Sequence, residues 1–446
     1  MELPAVNRLP FHAVVQRGMT LIELMVAMVI GLLVLAGVGA VFLSTSTSVK
    51  SLDQLASLQE SGRFAISSLT SDISMANAQY CSGSGGDARP TGSNVLLDDL
   101  RAPKVYARNN LLLTAMSDVT TAWGAGGYPT TPAKAYGMPE YLTMRGYDCT
   151  ASSCSPIDPN SVITAIPSQG TAVGRRVVGS SVLTLRYLDS TKGWSVGYPG
   201  GSSITSAVGG AVGNINLVPL AGEPPVSTFG TGSLAMLADC SLSQVFAVTG
   251  QGGATLATDA TNNYDTPNAM TGSKALRVFD FNNAYNTVTY FLQVVDAGNG
   301  ETTGALMRRV NGTSEEIVRG IERLNFRYGV MMASGLVRFM SANEVDTAAP
   351  ANCPWQPNVD AASGAANPRG CLWRAVVSVE VNLLASGQIP LRQLTPQELF
   401  YSYGASNPAP AAPTSHAIQP VANQGFPLRL LRREFTALVA TRNYNP

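Results

Sequence analysis

One carboxylate stands out by its surroundings. Glu23 stands at the head of an uncharged run from Leu24 to Leu43, 20 residues long. At about 1.5 Å of rise per residue, a helix of that length covers about 30 Å, the hydrocarbon thickness of a bilayer. An acidic side chain set deep into such a helix costs roughly 2.5 to 3.5 kcal/mol, so a partner is expected for Glu23. Other reactive groups are sparse. The two histidines, His12 and His416, offer little for Ser/His, Cys/His or histidine-ligated metal chemistry, and no metal or cofactor is expected.

The six cysteines fit an oxidised compartment. Cys149 and Cys154 are close in sequence, and Cys353 and Cys371 bracket a loop containing Pro354, Pro357, Pro368 and Gly370. Two local bridges are expected, which leaves Cys81 and Cys240 as a long-range pair. Six cysteines admit 15 connectivities, and this one is chosen by loop length. Zinc is the rival reading, but neither close pair has the CxxC spacing and no histidine lies near.

Composition narrows the class. The 446 residues hold 29 Lys plus Arg against 29 Asp plus Glu, so no bulk charge favours a nucleic acid or an anionic surface. Charged residues make up 13%, about half the share of an ordinary soluble domain, as in secreted β-rich proteins. Weak motifs read better as structure than as sites. Asp296 to Glu301 lacks the alternating oxygen ligands of a calcium loop and reads as a hairpin turn, Asp259 with Asp265 is no stronger, and Asn311-Gly312 reads as a tight turn rather than a glycosylation site. Arg308, Arg309, Arg319, Arg323 and Arg327 lie among Glu315, Glu316 and Glu322, which reads as a salt-bridged surface.

Glu23 must be positioned by a helix. No proline occurs between Pro10 and Pro90, so the apolar segment, read as 19–44, continues into an amphipathic half, 45–80. There Leu52, Leu55, Gln59, Gly62, Ile66, Leu69, Ile73 and Ala76 form a stripe at spacings of 3 and 4, with Asp53, Glu60, Arg63 and Asp72 off it on a solvated face. From 81 to 446 the pattern shifts to β-rich runs between Gly, Pro, Ser and Asn clusters. Strands are expected at Val182 to Leu188, Gln244 to Thr249, Thr287 to Val295, Leu306 to Val310, Asn325 to Val330 and Ala375 to Leu384. Ile317 to Leu324 reads as a short helix or turn, 81–170 and 190–240 as loop-heavy, and Gly404 to Pro420 as a linker or surface excursion.

Arg8 and Arg17 precede the apolar run, which fits a membrane anchor with the bulk of the chain outside the cytoplasm. A signal peptide is the alternative, but its apolar region is typically about 7 to 15 residues. The segment Gly18-Met19-Thr20-Leu21-Ile22-Glu23-Leu24-Met25-Val26 resembles the class III signal of type IV prepilins and type II secretion pseudopilins. That resemblance implies a leader of residues 1–18, cleavage between Gly18 and Met19 by a prepilin peptidase, N-methylation of Met19 and a register role for Glu23; the usual first mature residue is Phe, here Met19. Four further pieces resemble the PilW-like branch of minor pilins: LQESGRFAISSLTSDI at 58–73, SVLTLRY at 181–187, RRVNGTSEEIVRGIERLNFRYGV at 308–330, and LRLLRREFTALVATRN near the end.

The resemblance implies an α+β pilin-like fold, a long N-terminal helix packed on an antiparallel sheet. It also implies a non-catalytic, low-abundance subunit of an initiation or tip complex. Its partners would be other minor pilins, the major pilin, the prepilin peptidase and the inner-membrane assembly platform; nucleic acid is not expected. The expected location is the bacterial inner membrane, single pass with the head in the periplasm, and the pilus after assembly. Two alternatives stand beside this: a minor pseudopilin of type II secretion, and a membrane-anchored ligand-binding or enzyme domain, for which clustered His, Asp or Ser residues are missing.

Overall fold

The computed structural model describes residues 18–80, 90–91, 94–95, 103–116, 123–124, 127–161, 166–226, 233–240, 242–251, 254–270, 272, 275–298, 300–353, 369–390, 401, 424–427 and 429–443. The segment expected as a linker, Gly404 to Pro420, lies outside them. The chain divides into two compact units at Asp53/Gln54, and one helix, Leu21–Met75, contributes to both. Its first part is apolar on every side. Side chains such as Leu24, Ile30, Leu33, Val38 and Phe42 are exposed, and the helix is long and apolar enough to cross a membrane. The Ser/Thr patch after Leu43 does not interrupt it, because Ser48 Oγ donates to the Ser44 carbonyl at 3.0 Å and so satisfies its hydroxyl inside the helix.

In the second unit the helix packs on antiparallel sheets. A six-stranded sheet runs in the order Thr313–Arg319, Glu301–Val310, Tyr285–Gly298, Val182–Leu188, Met144–Cys149, Cys154–Ser155. A four-stranded sheet runs Val337–Met340, Ile321–Met331, Val376–Ser386, Arg432–Ala440. Leu58, Ala65, Leu69, Ile73 and Ala76 join one core with Val288, Leu292 and Leu306 of the first sheet and Phe326, Val379 and Val381 of the second. On the six-stranded sheet, alternation sends Val288, Tyr290, Leu292 and Val294 into this core and Phe291 into a smaller one with Tyr147, Val182, Ala305 and Met307. A third sheet of nine strands has its own core around Trp194, Phe246 and Val278. Four of its strands, Gly193–Ser195, Ser203–Ser206, Val212–Asn216 and Leu234–Ala238, fall where the sequence reads as loop; at three to five residues they are too short to show a period.

All six expected strands form. The segment expected as a short helix or turn between two of them forms no helix: Thr313–Arg319 and Ile321–Met331 are strands, and only Gly320 between them turns. Gly320 has φ +80°, donates to the Gly304 carbonyl at 2.8 Å and accepts from Ser386 N–H at 2.7 Å. It turns the chain from one sheet into the next, a step that favours glycine. Within this segment Glu322 and Arg323, expected at a salt-bridged surface, are buried. Glu322 forms a fully buried ion pair with Arg432, Nε to Oε2 2.6 Å and Nη2 to Oε1 3.1 Å. The arginine cluster is therefore only partly a surface. The turns at 296–301 and Asn311-Gly312 form as read, the latter with positive φ at both residues, the type I′ signature.

The C-terminal strand lies along the helix. Gln54 Oε1 accepts from Gln388 N–H at 3.0 Å, while Gly387 N–H donates to Leu431 O at 2.8 Å, so this end of the helix is level with the start of the Arg432–Ala440 strand. At the other end Arg442 N–H reaches the Ser74 carbonyl at 3.3 Å. Twenty helical residues at about 1.5 Å and eleven extended ones at about 3.4 Å are both about 30 to 37 Å long. Midway, a Cβ on Gly62 would lie 2.4 Å from the Phe435 ring.

Two outcomes follow from this packing. Gly62→Ala adds about 1 kcal/mol of helix propensity but overpacks Phe435 at about 1 to 3 kcal/mol; it should destabilise the wild type and stabilise a Phe435→Ala background, as read by urea titration of the detergent-solubilised chain. The same sign in both backgrounds would remove the contact. The second concerns Asp148, buried with its Oδ2 accepting Ala342 N–H at 2.6 Å. Burial pushes its carboxyl up to about 6, so the folded chain holds this proton more tightly than the unfolded one. The resulting stability is present below the ordinary carboxyl range and is lost as pH rises through about 6. Asp148→Asn keeps an acceptor without the charge, so its stability relative to wild type should increase between about pH 4 and pH 7, by on the order of 3 kcal/mol. A difference that does not change with pH would show that the carboxyl titrates normally.

Candidate assembly site

Gly18, Met19 and Thr20 precede the helix and are exposed, so the Gly18-Met19 peptide lies in non-helical, accessible chain, as a peptidase requires. Glu23 sits in the first turn. Its Oε2 accepts from Thr20 N–H at 2.9 Å and Thr20 Oγ1 at 2.9 Å, while Glu23 N–H donates to Thr20 Oγ1 at 3.3 Å. This reciprocal capping box satisfies donors that the helix start would otherwise leave open, and the carboxylate suits the positive end of the helix dipole. Thr20 is a residue that the sequence reading missed. Its signal was present: a Thr three residues before a Glu, ahead of an apolar run.

A second carboxylate fastens the helix to the six-stranded sheet. Asp72, expected on the solvated face, is buried. Arg308 grips it with two nitrogens, Nε to Oδ2 at 2.7 Å and Nη2 to Oδ1 at 3.2 Å. Tyr290 OH donates to Oδ2 at 2.7 Å and Tyr187 OH to Oδ1 at 2.9 Å. The three donors come from three adjacent strands, and Tyr290 is directly opposite Arg308 in register. Together they fill the acceptor capacity of the carboxylate. Hydrogen bonding to Asp72 pushes Arg308 up, and burial followed by the Asp72 charge pushes Tyr290 and Tyr187 up, so all three donors keep their protons. Arg308 Nη1 also bonds the exposed Glu315 at 2.9 Å. The phase of the stripe explains why Asp72 was missed. The buried positions run Gln54, Leu58, Gly62, Ala65, Leu69, Asp72, Ile73 and Ala76, whereas Leu52 is exposed.

Cys149–Cys154 and Cys353–Cys371 form the two expected local bridges, the first closing a hairpin in which the two residues face each other in register. Cys240 is also disulfide-bonded; its expected partner, Cys81, lies outside the described residues.

The clasp makes a graded prediction. Asp72→Ala leaves a cation and two hydroxyls around an empty place, and should cost about 3 to 5 kcal/mol in chemical denaturation. Glu315→Ala removes only the exposed arm and should cost less than about 1 kcal/mol. Equal costs would show that Asp72 is not the fastening point.

Residues 289–443 match the family model described as Type IV Pilus-assembly protein W. Residues 15–39 match the Prokaryotic N-terminal methylation motif. No curated protein and no solved structure gives a match. The first match begins within the strand carrying Tyr290, continues through the strand carrying Arg308 and includes the whole four-stranded sheet; the second includes the capping box and Glu23. With both features on an α+β scaffold of one long apolar helix and antiparallel sheets, the two matches together support a PilW-like type IV pilin bearing a class III prepilin signal.

Proposed function

We propose that the chain is a minor pilin of the complex that initiates or caps a type IV pilus, and that its role is assembly, not catalysis. It is made as an inner-membrane precursor with leader 1–18, cut between Gly18 and Met19 by a prepilin peptidase and methylated at Met19. It spans the bilayer once through 19–44 and holds its head, 81–446, in the periplasm, joined through the amphipathic segment 45–80. Its partners are other minor pilins, the major pilin and the assembly platform. The observation that carries this reading is the joining, on one chain, of an exposed Gly18-Met19 bond and a capped Glu23 with the pilus-assembly match.

Glu23 supplies the assembly chemistry. The capping bonds reach its Oε2 and lie wholly inside the mature chain, so cleavage leaves them intact. The new Met19 amine is cationic at neutral pH, and methylation keeps the charge. Among packed helices with little water, this amine on one subunit and the Oε1 side of Glu23 on its neighbour attract far more strongly than in bulk solvent. That attraction fixes the axial register of an inserting subunit.

Gly18→Val should leave full-length precursor by mass spectrometry, and an amino terminus beyond Ala36 in the wild type would point to a signal peptidase and defeat the reading. Glu23→Ala should be cleaved and inserted normally yet co-purify poorly with neighbouring minor pilins and lower surface piliation. Wild-type assembly of that mutant would remove the register role. Deletion that stops protein secretion while pili persist would move the chain to a secretion system.

A further inference from the structure

Arg176 has no part in the reading above, although it is completely buried. Its guanidinium is directed at the Cys149–Cys154 bridge, with Nη1 3.4 Å from Cys149 Sγ and Nη2 3.6 Å from Cys154 Sγ. Gln169 Nε2 lies 3.5 Å from Cys154 Sγ. A neutral disulfide sulfur is a weak acceptor, so a buried cation gains little from facing two of them. Arg176 also donates from Nε to the Pro167 carbonyl at 3.2 Å and from Nη2 to Asp158 at 2.8 Å, but the Asp158 side chain is 39% exposed and its charge is shared with solvent. Burial holds the guanidinium below its ordinary range, as expected of a cation short of compensation. A thiolate at either sulfur would supply it through a charge-assisted bond.

The two sulfurs differ in access: Cys149 is buried, whereas Cys154 is partly exposed. The hairpin that joins them is also held by Thr150 N–H donating to the Ser153 carbonyl at 2.7 Å, so the two residues stay adjacent when the bridge opens.

We propose that the Cys149–Cys154 bridge is a thiol–disulfide exchange site for a dithiol, attacked at Cys154, with Arg176 as the positioning residue that receives the departing Cys149 thiolate. A thiolate of the dithiol forms a bond to Cys154 Sγ as the Cys149–Cys154 bond breaks, and the electron pair of that bond leaves on Cys149 Sγ beside Arg176. The second thiol, its proton lost to water, attacks the mixed disulfide. Cys154 is released and takes a proton from water, and the dithiol departs as a disulfide. Two electrons pass to the cysteine pair, the dithiol is oxidised, and the leaving thiolate is the one that faces the cation.

Dithiothreitol titration of the detergent-solubilised full chain tests this, with acid quenching, alkylation and peptide mass spectrometry reporting each pair. The Cys149–Cys154 bridge should open at lower dithiothreitol than Cys353–Cys371. Arg176→Gln should raise the dithiothreitol needed for Cys149–Cys154 by about tenfold, and slow iodoacetamide alkylation of the reduced pair at mildly acidic pH. Asp158→Asn, which removes only the competing carboxylate, should shift both readings the other way, and it decides the matter if the arginine variant does not fold. Equal reducibility of the two bridges, or an Asp158→Asn chain with unchanged Cys149–Cys154 equilibrium and alkylation rate, would overturn the proposal.

Discussion

The second unit depends on a directional contact at Asp72. Apolar burial against the two sheets supplies most of the driving force, but it is non-directional and tolerates rotation and sliding of a helix. A carboxylate held by one bidentate arginine and two tyrosine hydroxyls tolerates neither. Shifting the helix by one residue would rotate its faces by about 100°, taking Asp72 away from Arg308 and leaving charges buried without partners. Such a pair adds little to net stability compared with a well-packed apolar contact, because both ions lose water. Its contribution here is the choice of one helix orientation among several that would bury similar area.

From that contact the arrangement of strands can be followed outward. Arg308 and Tyr290 face the helix together because they are directly opposed in register, and the free side of the same guanidinium reaches Glu315 on the next strand, at the sheet edge. Orientation is thus set by the six-stranded sheet, and axial height by the four-stranded one. There Gln54 and Ser74 are tied to backbone near the two ends of the C-terminal strand, and Gly62 admits Phe435 between them. Gly320 passes the chain from the first sheet to the second, beside the buried Glu322–Arg432 pair. The Arg432–Ala440 strand arrives late in the sequence, yet just past its end Arg442 bonds Ser74 of the N-terminal helix, and beside its start Gln388 bonds Gln54. Pairing of this kind is long-range and slow to find, which is where a buried, bidentate ion pair selects one register.

How much of this the sequence disclosed depended on whether the signal was local. The helix, the class III signal, the six longer strands and the two short disulfide loops all rest on neighbours close in sequence, at most 18 residues apart for the bridged cysteines, and each could be read directly. Three features could not. Asp72 and Glu322 are acidic residues whose burial depends on arginines 236 and 110 positions away, and a lone acid in an amphipathic pattern reads by default as solvated. Apart from the strand read at Gln244 to Thr249, the nine-stranded sheet is assembled from short pieces whose periodicity is too brief to register, and its core becomes visible only when Trp194, Phe246 and Val278 are brought together. Thr20 is a different case. Its capping box with Glu23 is local, a Thr three residues ahead of a Glu, and is legible in the sequence.

The two carboxylates on the helix show how one residue type takes opposite roles. Around Asp72, four donor contacts from the same chain fill both oxygens, and a partner subunit has nothing to add. Around Glu23, the donors among the described residues come from Thr20 and converge on Oε2. A carboxylate half satisfied within its chain and set against apolar side chains is stabilised by any cation that can reach its other oxygen. In a bundle of identical signals, each amino terminus is such a cation. The number of donors supplied in cis therefore distinguishes the two acids, and the role proposed for Glu23 rests on a carboxylate whose capping bonds converge on one oxygen.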